Sequence, residues 1–251
     1  MKDQPLILIT NDDGVQAAGI QALFRSLRSL GRVVMVAPTR DNSAVSHALT
    51  MNRPLRVHTL EKDVHTMDGT PTDCVTIGMN KLLPRYPDLL VSGINAGANL
   101  GDDISYSGTV SAAIEATMYG VPAMAVSLAG EPPFDFSVAA SVAWKQAAMT
   151  LDFGLPENTL LNVNVPQLPA AEIRGTRFTR QGRRLYRDAI QEIRDPWGRK
   201  HYWIGGGTVH WSEDEETDEF AIRQGYISVT PIHLDLTNHE GLAYLRSRWK
   251  M

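Results

Sequence analysis

Short runs of consecutive apolar residues alternate, through the first part of the chain, with stretches whose apolar positions recur every three or four residues. The two patterns predict buried strands alternating with amphipathic helices. Leu6, Ile7, Leu8 and Ile9 form the first run and have the β-branched content of a strand buried on both faces. Ile20, Leu23, Phe24, Leu27 and Leu30 then share one helical face, which Gly31 is expected to end. Residues 33–37 make a second strand closed by Pro38, so the opening segment reads as a strand, helix, strand unit with a right-handed crossover. Residues 55–59 and 64–67 read as a hairpin, and 70–83 as a helix that begins at Pro71, a favoured first helical position. A third strand over 88–92 runs into a glycine-rich loop and a helix of small apolar residues over 110–119, stopped by Gly120. A fourth strand over 122–127 and an Ala-rich helix over 136–151 complete an alternation that predicts a doubly wound, mainly parallel α/β sheet.

From residue 159 the texture changes. LLNVNVP, IRGTRFTRQGRRLYRDAI and KHYWIGGG read as strands, with turn signals at Gly175, Gly182 and 205–207. Residues 213–219 are an acidic run suited to a solvated loop or helix start, 226–232 a further strand, and 240–249 a terminal helix. The chain is therefore expected to divide into residues 1–158 and a β-rich appendage over 159–251 built from long hairpins. An isolated hairpin is marginal in water, so these are expected to pack on a second subunit.

Composition narrows the classes. With 251 residues, 43% hydrophobic and 21% charged, the chain describes an ordinary globular protein. A net charge of -4 argues against a general nucleic-acid binder, and no stable nucleic-acid partner is expected. The single cysteine, Cys74, cannot form an internal disulfide, which favours a reducing compartment. The N-terminus lacks the long apolar region of a signal peptide, and no window approaches the roughly 20 apolar residues of a membrane span. A cytoplasmic protein without a membrane partner is expected. The seven histidines show no zinc-binding spacing, and no GxGxxG follows a strand, which argues against a dinucleotide oxidoreductase.

Candidate chemistry concentrates in loops after strands. Thr10, Asn11, Asp12, Asp13 and Gly14 occupy the carboxyl end of the first strand, where open α/β sheets bind ligands. Two adjacent carboxylates there repel unless a cation lies between them or one holds a proton, and the segment reads as a metal site. The competing reading is an ordinary turn with an Asp helix cap. Ser107, Gly108 and Thr109 lie where a loop enters a helix, so their amides and hydroxyls suit a phosphate; Ser107 and Thr109 could equally cap the helix. Gly93, Gly97 and Gly101 recur every fourth residue in a polar loop, which points to sharp turns and backbone access. Asp102 and Asp103 form a second acidic pair that reads either as solvated or as supporting the ligands of the site from behind, and Asp68, Gly69 and Thr70 read as a turn beside the site. Arg174, Arg177, Arg180, Arg183, Arg184 and Arg187 read as solvated or interfacial, pairing with a run such as 213–219 of a neighbouring subunit and helping to capture anionic substrates.

The segments ILITNDDG, RDNSAVSHALT, DGTPTDCV, VSGINAGANLGDDISYSGTVSAAIEA and SVTPI, in that order, resemble the motifs of the SurE family of stationary-phase survival proteins and 5'/3'-nucleotidases. The resemblance implies a Rossmann-like catalytic domain over 1–158 and a C-terminal part that exchanges elements between subunits of a homodimer or homotetramer. It implies a phosphomonoesterase of acid-phosphatase type acting on nucleoside 5'- and 3'-monophosphates, and extending to short polyphosphate. One divalent cation per subunit, magnesium or manganese, is implied, with ligands carried onto Asp12, Asp13, Ser43 and Asn95. Ala44 stands where the family often has the glycine of a Ser-Gly pair, which leaves the serine in place and alters the backbone path. Two carboxylates with neutral Ser and Asn oxygens independently make a hard, all-oxygen site suited to these cations. A water activated there is the expected nucleophile, Asp12 or Asp13 its base, and Asn11, Asn99, Ser107, Gly108 and Thr109 the phosphate and substrate contacts. Two alternatives stand beside this reading. One is a non-catalytic nucleotide-binding or sensing protein on the same fold; the other is a haloacid-dehalogenase-like phosphatase with an aspartyl nucleophile, whose partner motifs are not evident.

Overall fold

In a computed structural model that describes residues 4–187, 190–204, 208–211 and 214–249, the first apolar run becomes β1 (Leu6–Thr10), buried at all five positions. The elements follow as α1 (Ala18–Leu27), β2 (Arg32–Pro38), β3 (Val57–Glu61), β4 (Val64–Met67), α2 (Pro71–Ile77), β5 (Leu89–Ala96), α3 (Gly108–Met118), β6 (Ala123–Ala129), α4 (Ser137–Phe153) and β7 (Thr159–Pro166). The C-terminal part adds β8 (Thr176–Phe178), β9 (Arg184–Arg187), β10 (Ile190–Arg194), β11 (Lys200–Ile204), β12 (Thr208–Trp211), α5 (Asp218–Arg223), β13 (Ile227–His233) and α6 (His239–Arg248). One nine-stranded sheet has the order β3-β4-β2-β1-β5-β6-β7-β13-β8. Strands β4 to β7 in that order run parallel, whereas β3 and β13 pair antiparallel with β4 and β7. This is the expected doubly wound, Rossmann-like α/β fold, with small antiparallel pairs β10-β11 and β9-β12 in the C-terminal part.

Two apolar layers hold it. On one face Ile20, Leu23 and Leu27 of α1 and Ala139, Ala143 and Ala147 of α4 pack on Ile7, Ile9 and Val91. On the other, Cys74 and Val75 of α2 and Val110, Ala113 and Ala116 of α3 pack on Leu8, Val36 and Leu90. Burying each large aliphatic side chain contributes about 1.5–3 kcal/mol, so the stripe on α1 suffices to dock it.

Several expectations change. The first helix ends at Leu27, four residues before Gly31, whose Cβ would lie 2.2 Å from Pro5 O; close approach to the preceding chain, not a helix stop, requires that glycine. The helix expected over 70–83 is α-helical only over Pro71–Ile77 and continues as a single π-helical turn, Gly78–Leu82. Strand β5 runs past Ser92 to Ala96, because pairing with β6 resumes after a register shift between Gly93 and Asn95. The GIN segment is therefore strand rather than loop. β7, β13 and β8 belong to the main sheet, so that sheet crosses the expected division at 158/159. The turn expected at 205–207 and Glu213 of the acidic run lie outside the described residues.

Candidate active site

The carboxyl ends of β1 and β5 bring the two halves of the site together, since Thr10 pairs with Ser92 across the sheet. Beyond Thr10 the chain turns sharply. Asn11 Nδ2 donates to Gly14 O at 3.0 Å, and Gly14, at φ 98, packs against the backbone of Arg40. Asn11, Asp12 and their neighbour Thr10 are all buried, and the Asn11 Oδ1 atom is buried without a hydrogen-bond partner.

Asp12 is held from two directions. Asn42 N–H donates to its carbonyl at 2.8 Å, while Thr109 donates its N–H to Oδ2 at 3.1 Å and its hydroxyl to Oδ1. Asp13 is freer, accepting one bond, 3.3 Å from the N–H of Ala96. Burial first, then the neighbouring charges, push both carboxyls up, Asp13 to about 6; Thr109 only partly offsets this at Asp12. Among the described residues neither has a Lys or Arg partner. Buried adjacent carboxylates without a counter-charge are the arrangement a cation relieves.

Asn95 lies at the end of β5, its Nδ2 donating to Gly97 O at 2.9 Å and its Oδ1 left as a possible ligand atom. Ser43 is exposed on the loop after β2, and Asp41 Oδ1 accepts both its N–H, at 2.7 Å, and its hydroxyl, at 2.5 Å. Ala44 has φ 56, a left-handed conformation that favours glycine, so the departure at this position keeps the turn under strain. Asp12, Asp13, Asn95 and Ser43 thus supply two carboxylates and two neutral oxygens, a donor set that fits a hard divalent cation. Among the described residues no three His, Cys, Asp or Glu side chains converge as a metal cage.

The other expected contacts are distributed differently. Ser107 accepts from Val110 N–H at 3.1 Å and caps α3. Both donors of Thr109 go to Asp12, so this residue orients a carboxylate. Gly108 N–H, by contrast, has no acceptor among the described residues, and a side chain at its position would force Asp12 to shift, since a Cβ would lie 2.9 Å from Asp12 Cβ. Asn99 is tied to β7 and β6: its N–H donates to Asn164 Oδ1 at 2.9 Å, its carbonyl accepts from Asn162 and Asn164, and its Nδ2 donates to Ser127 Oγ at 2.8 Å. Only its Oδ1 is left for a ligand.

Asp102 and Asp103 are not simply solvated. Asp102 Oδ2 accepts from Arg184 N–H at 2.9 Å, and Asp103 forms an ion pair with Arg184. Three more of these arginines likewise find partners within the chain: Arg180 pairs with Asp214 and Glu216, and Arg174 and Arg177 lie over the ring of Tyr226 at 4.8 and 4.0 Å. Folding brings strands and acidic residues of the same chain close enough that no neighbouring subunit is needed for these contacts.

A pocket of about 550 Å³ opens beside Asp12, lined by Arg40, Asn42, Thr50, Arg53, Asp68 and Thr70 among others. Arg53 is paired with Asp68 at 2.8 Å. Sequence reasoning missed Asp41, whose signal was the Asp-x-Ser spacing of a side-chain turn, and Arg40 and Arg53, which carried no local signal.

Residues 7–188 match the family model described as survival protein SurE. The 5'-nucleotidase SurE of Pelobacter propionicus is 56% identical over 237 residues, covering 94% of this chain and 96% of that protein. The 5'-nucleotidase SurE of Syntrophotalea carbinolica is 56% identical over 248 residues, 98% of each. Among solved structures, the SurE protein from Aquifex aeolicus has a TM-score of 0.86 at 44% identity, over 97% of this chain and 99% of that one.

Proposed function

The chain belongs to the SurE survival-protein family, and from that premise we propose that it is a divalent-cation-dependent nucleotidase hydrolysing nucleoside 5'- and 3'-monophosphates. The observation that carries this reading is the desolvated Asp12–Asp13 pair, raised in pKa and without a cationic side chain, at the carboxyl edge of a doubly wound sheet. The names of the relatives support the 5' activity. The 3' activity, action on short polyphosphate and the use of magnesium or manganese are parts of the proposal.

Asp12, Asp13, Asn95 and Ser43 would hold the cation, which when bound polarises the phosphoryl oxygens and neutralises the paired carboxylates. Thr109 fixes Asp12 through both oxygens, which holds the carboxylate in one orientation and leaves each oxygen a lone pair. Asp13, with a single long bond, is the carboxylate free to accept the proton of the attacking water. Gly108 N–H and the N-terminus of α3 would stabilise charge on the equatorial oxygens. The pocket beside Asp12, which Arg40, Asn42, Thr50, Arg53, Asp68 and Thr70 line, takes the ribose side of the substrate.

We place the protein in the cytoplasm, which the single buried thiol of Cys74 suits. No helix among the described residues is long and apolar enough to cross a membrane. A homodimer or homotetramer is supported by α6, which buries none of its residues, and by Leu236, Tyr244 and Trp249, exposed by 94%, 60% and 67%.

Phosphate release from a panel of 5'- and 3'-nucleoside monophosphates with EDTA, magnesium or manganese tests the reading. Cation-dependent release that disappears in Asp12→Asn is expected. Release unaffected by EDTA refutes the cation reading, and no release by folded protein with any cation leaves the non-catalytic nucleotide-binding alternative.

A further inference from the structure

The glycine-rich loop between β5 and α3 is anchored from the C-terminal part of the chain. Asp218, the first residue of α5, is fully buried although it carries a carboxylate. Its Oδ2 accepts from Gly101 N–H at 2.9 Å, and its Oδ1 accepts from Gly182 N–H at 2.9 Å and Glu219 N–H at 2.8 Å. A buried carboxylate is tolerated only where donors replace its water, and three backbone amides do so here. Gln181 Nε2 adds a bond to Gly101 O at 3.0 Å, and Arg184 N–H reaches Asp102 at 2.9 Å. Residues 181–184 and 218 thus hold residues 101–102 of the loop.

That loop leads directly to the site. Residues Gly101–Ser105 form a tight 3-10 turn. Its end receives the Ser43 loop, with Ser46 N–H donating to Tyr106 O at 3.0 Å and Ser46 Oγ to Ser105 O at 3.0 Å. Ser107 then caps α3, whose next residues approach and hold Asp12. We propose that Asp218 is a positioning residue: by clamping Gly101 to Gly182 it sets the 101–107 segment, and through it both the Thr109 donors to Asp12 and the loop of Ser43. The catalytic consequence rests on the nucleotidase reading; the clamp itself does not. The pocket beside Asp12 draws none of the wall residues named above from 101–103, so the clamp acts on the reacting centre and not on nucleoside binding.

Asp218→Asn tests this, since one carboxylate oxygen becomes an NH2 group facing an amide donor. Hydrogen exchange of the cation-free protein and steady-state kinetics are read together, with Glu192→Gln, in the β10-β11 hairpin and paired with Lys200, as the control. Amides of 100–109 and 41–48 are expected to exchange at least tenfold faster while β1 and β5 keep their protection. At the same time kcat should fall at least tenfold with KM within twofold, and the control should match wild type in both readouts. Should Asp218→Asn fail to fold, Gln181→Ala, which removes one bond to the same loop, should show the same local pattern at about threefold. Unchanged exchange at 100–109, a uniform acceleration along the chain, or local acceleration with unchanged kcat overturns the proposal. Local acceleration in a protein whose wild type releases no phosphate would uphold the clamp and refute the nucleotidase reading.

Discussion

Replacing Asp13 with asparagine should make the cation-free protein more stable while abolishing its response to cations. Asp13 is half-buried beside Asp12, and burial followed by the Asp12 charge raises its pKa from 3.8 to about 6. The folded protein then binds more protons than the unfolded chain between these values. The stabilising protonated form is fully present below about pH 4, and its contribution is lost as pH rises through about 6. The full rise corresponds to about 3 kcal/mol, and screening by water at a partly exposed carboxylate reduces this to about 1.5 kcal/mol. In EDTA, Asp13→Asn should therefore exceed wild type by about 1.5 kcal/mol at pH 8, a Tm about 3–6 °C higher for a chain of this size. The gap should narrow steadily as pH falls through about 6 and be small at pH 4, where Asp13 is protonated in the folded protein and the pH lies close to its unfolded value of 3.8. With manganese added at pH 8, wild type should recover stability by mass action and the variant should not. Melting curves of both proteins across pH 4–8, with EDTA or manganese, read all three effects. A wild-type advantage in EDTA at pH 8, or an equal rise with manganese in both proteins, would refute the account of Asp13 as an uncompensated cation ligand.

Other perturbations act on the same geometry. Gly108→Ala places a Cβ 2.9 Å from Asp12 Cβ and 3.2 Å from Pro71 Cγ; denaturant titration should show a loss of about 1–3 kcal/mol, and phosphate release should fall with it. Thr109→Val keeps the side chain's shape but removes the hydroxyl donor to Asp12, so stability at pH 8 in saturating cation should drop by about 1.5–3 kcal/mol with a loss of kcat. Ala44→Gly relieves a left-handed backbone at φ 56 and should raise stability by about 0.5–1 kcal/mol in thermal melts. The double variant Leu242→Asp with Leu245→Asp, on the unburied helix α6, should reduce the mass seen by light scattering to that of one chain without loss of helical circular dichroism.

What the sequence determined by itself is local. The run at Leu6–Thr10, the stripe of Ile20, Leu23 and Leu27, and the Thr70-Pro71 start of α2 were legible because pairing, solvation and capping act within a few residues. The position of Asp12 and Asp13 at a strand's carboxyl end followed from the same alternation. Other features needed the fold. Thr109 meets Asp12 across 97 positions and Asp218 meets Gly101 across 117, and no periodicity encodes such distances. Asn99 looked like a substrate contact because it sits in a polar loop, yet parallel pairing of β6 with β7 brings Asn162, Asn164 and Ser127 against it. The run of arginines looked interfacial until the chain folded its own carboxylates onto Arg180 and Arg184. Only tertiary structure chooses among partners of equal local chemistry, because which donor reaches which carboxylate depends on how the sheet stacks segments remote in sequence.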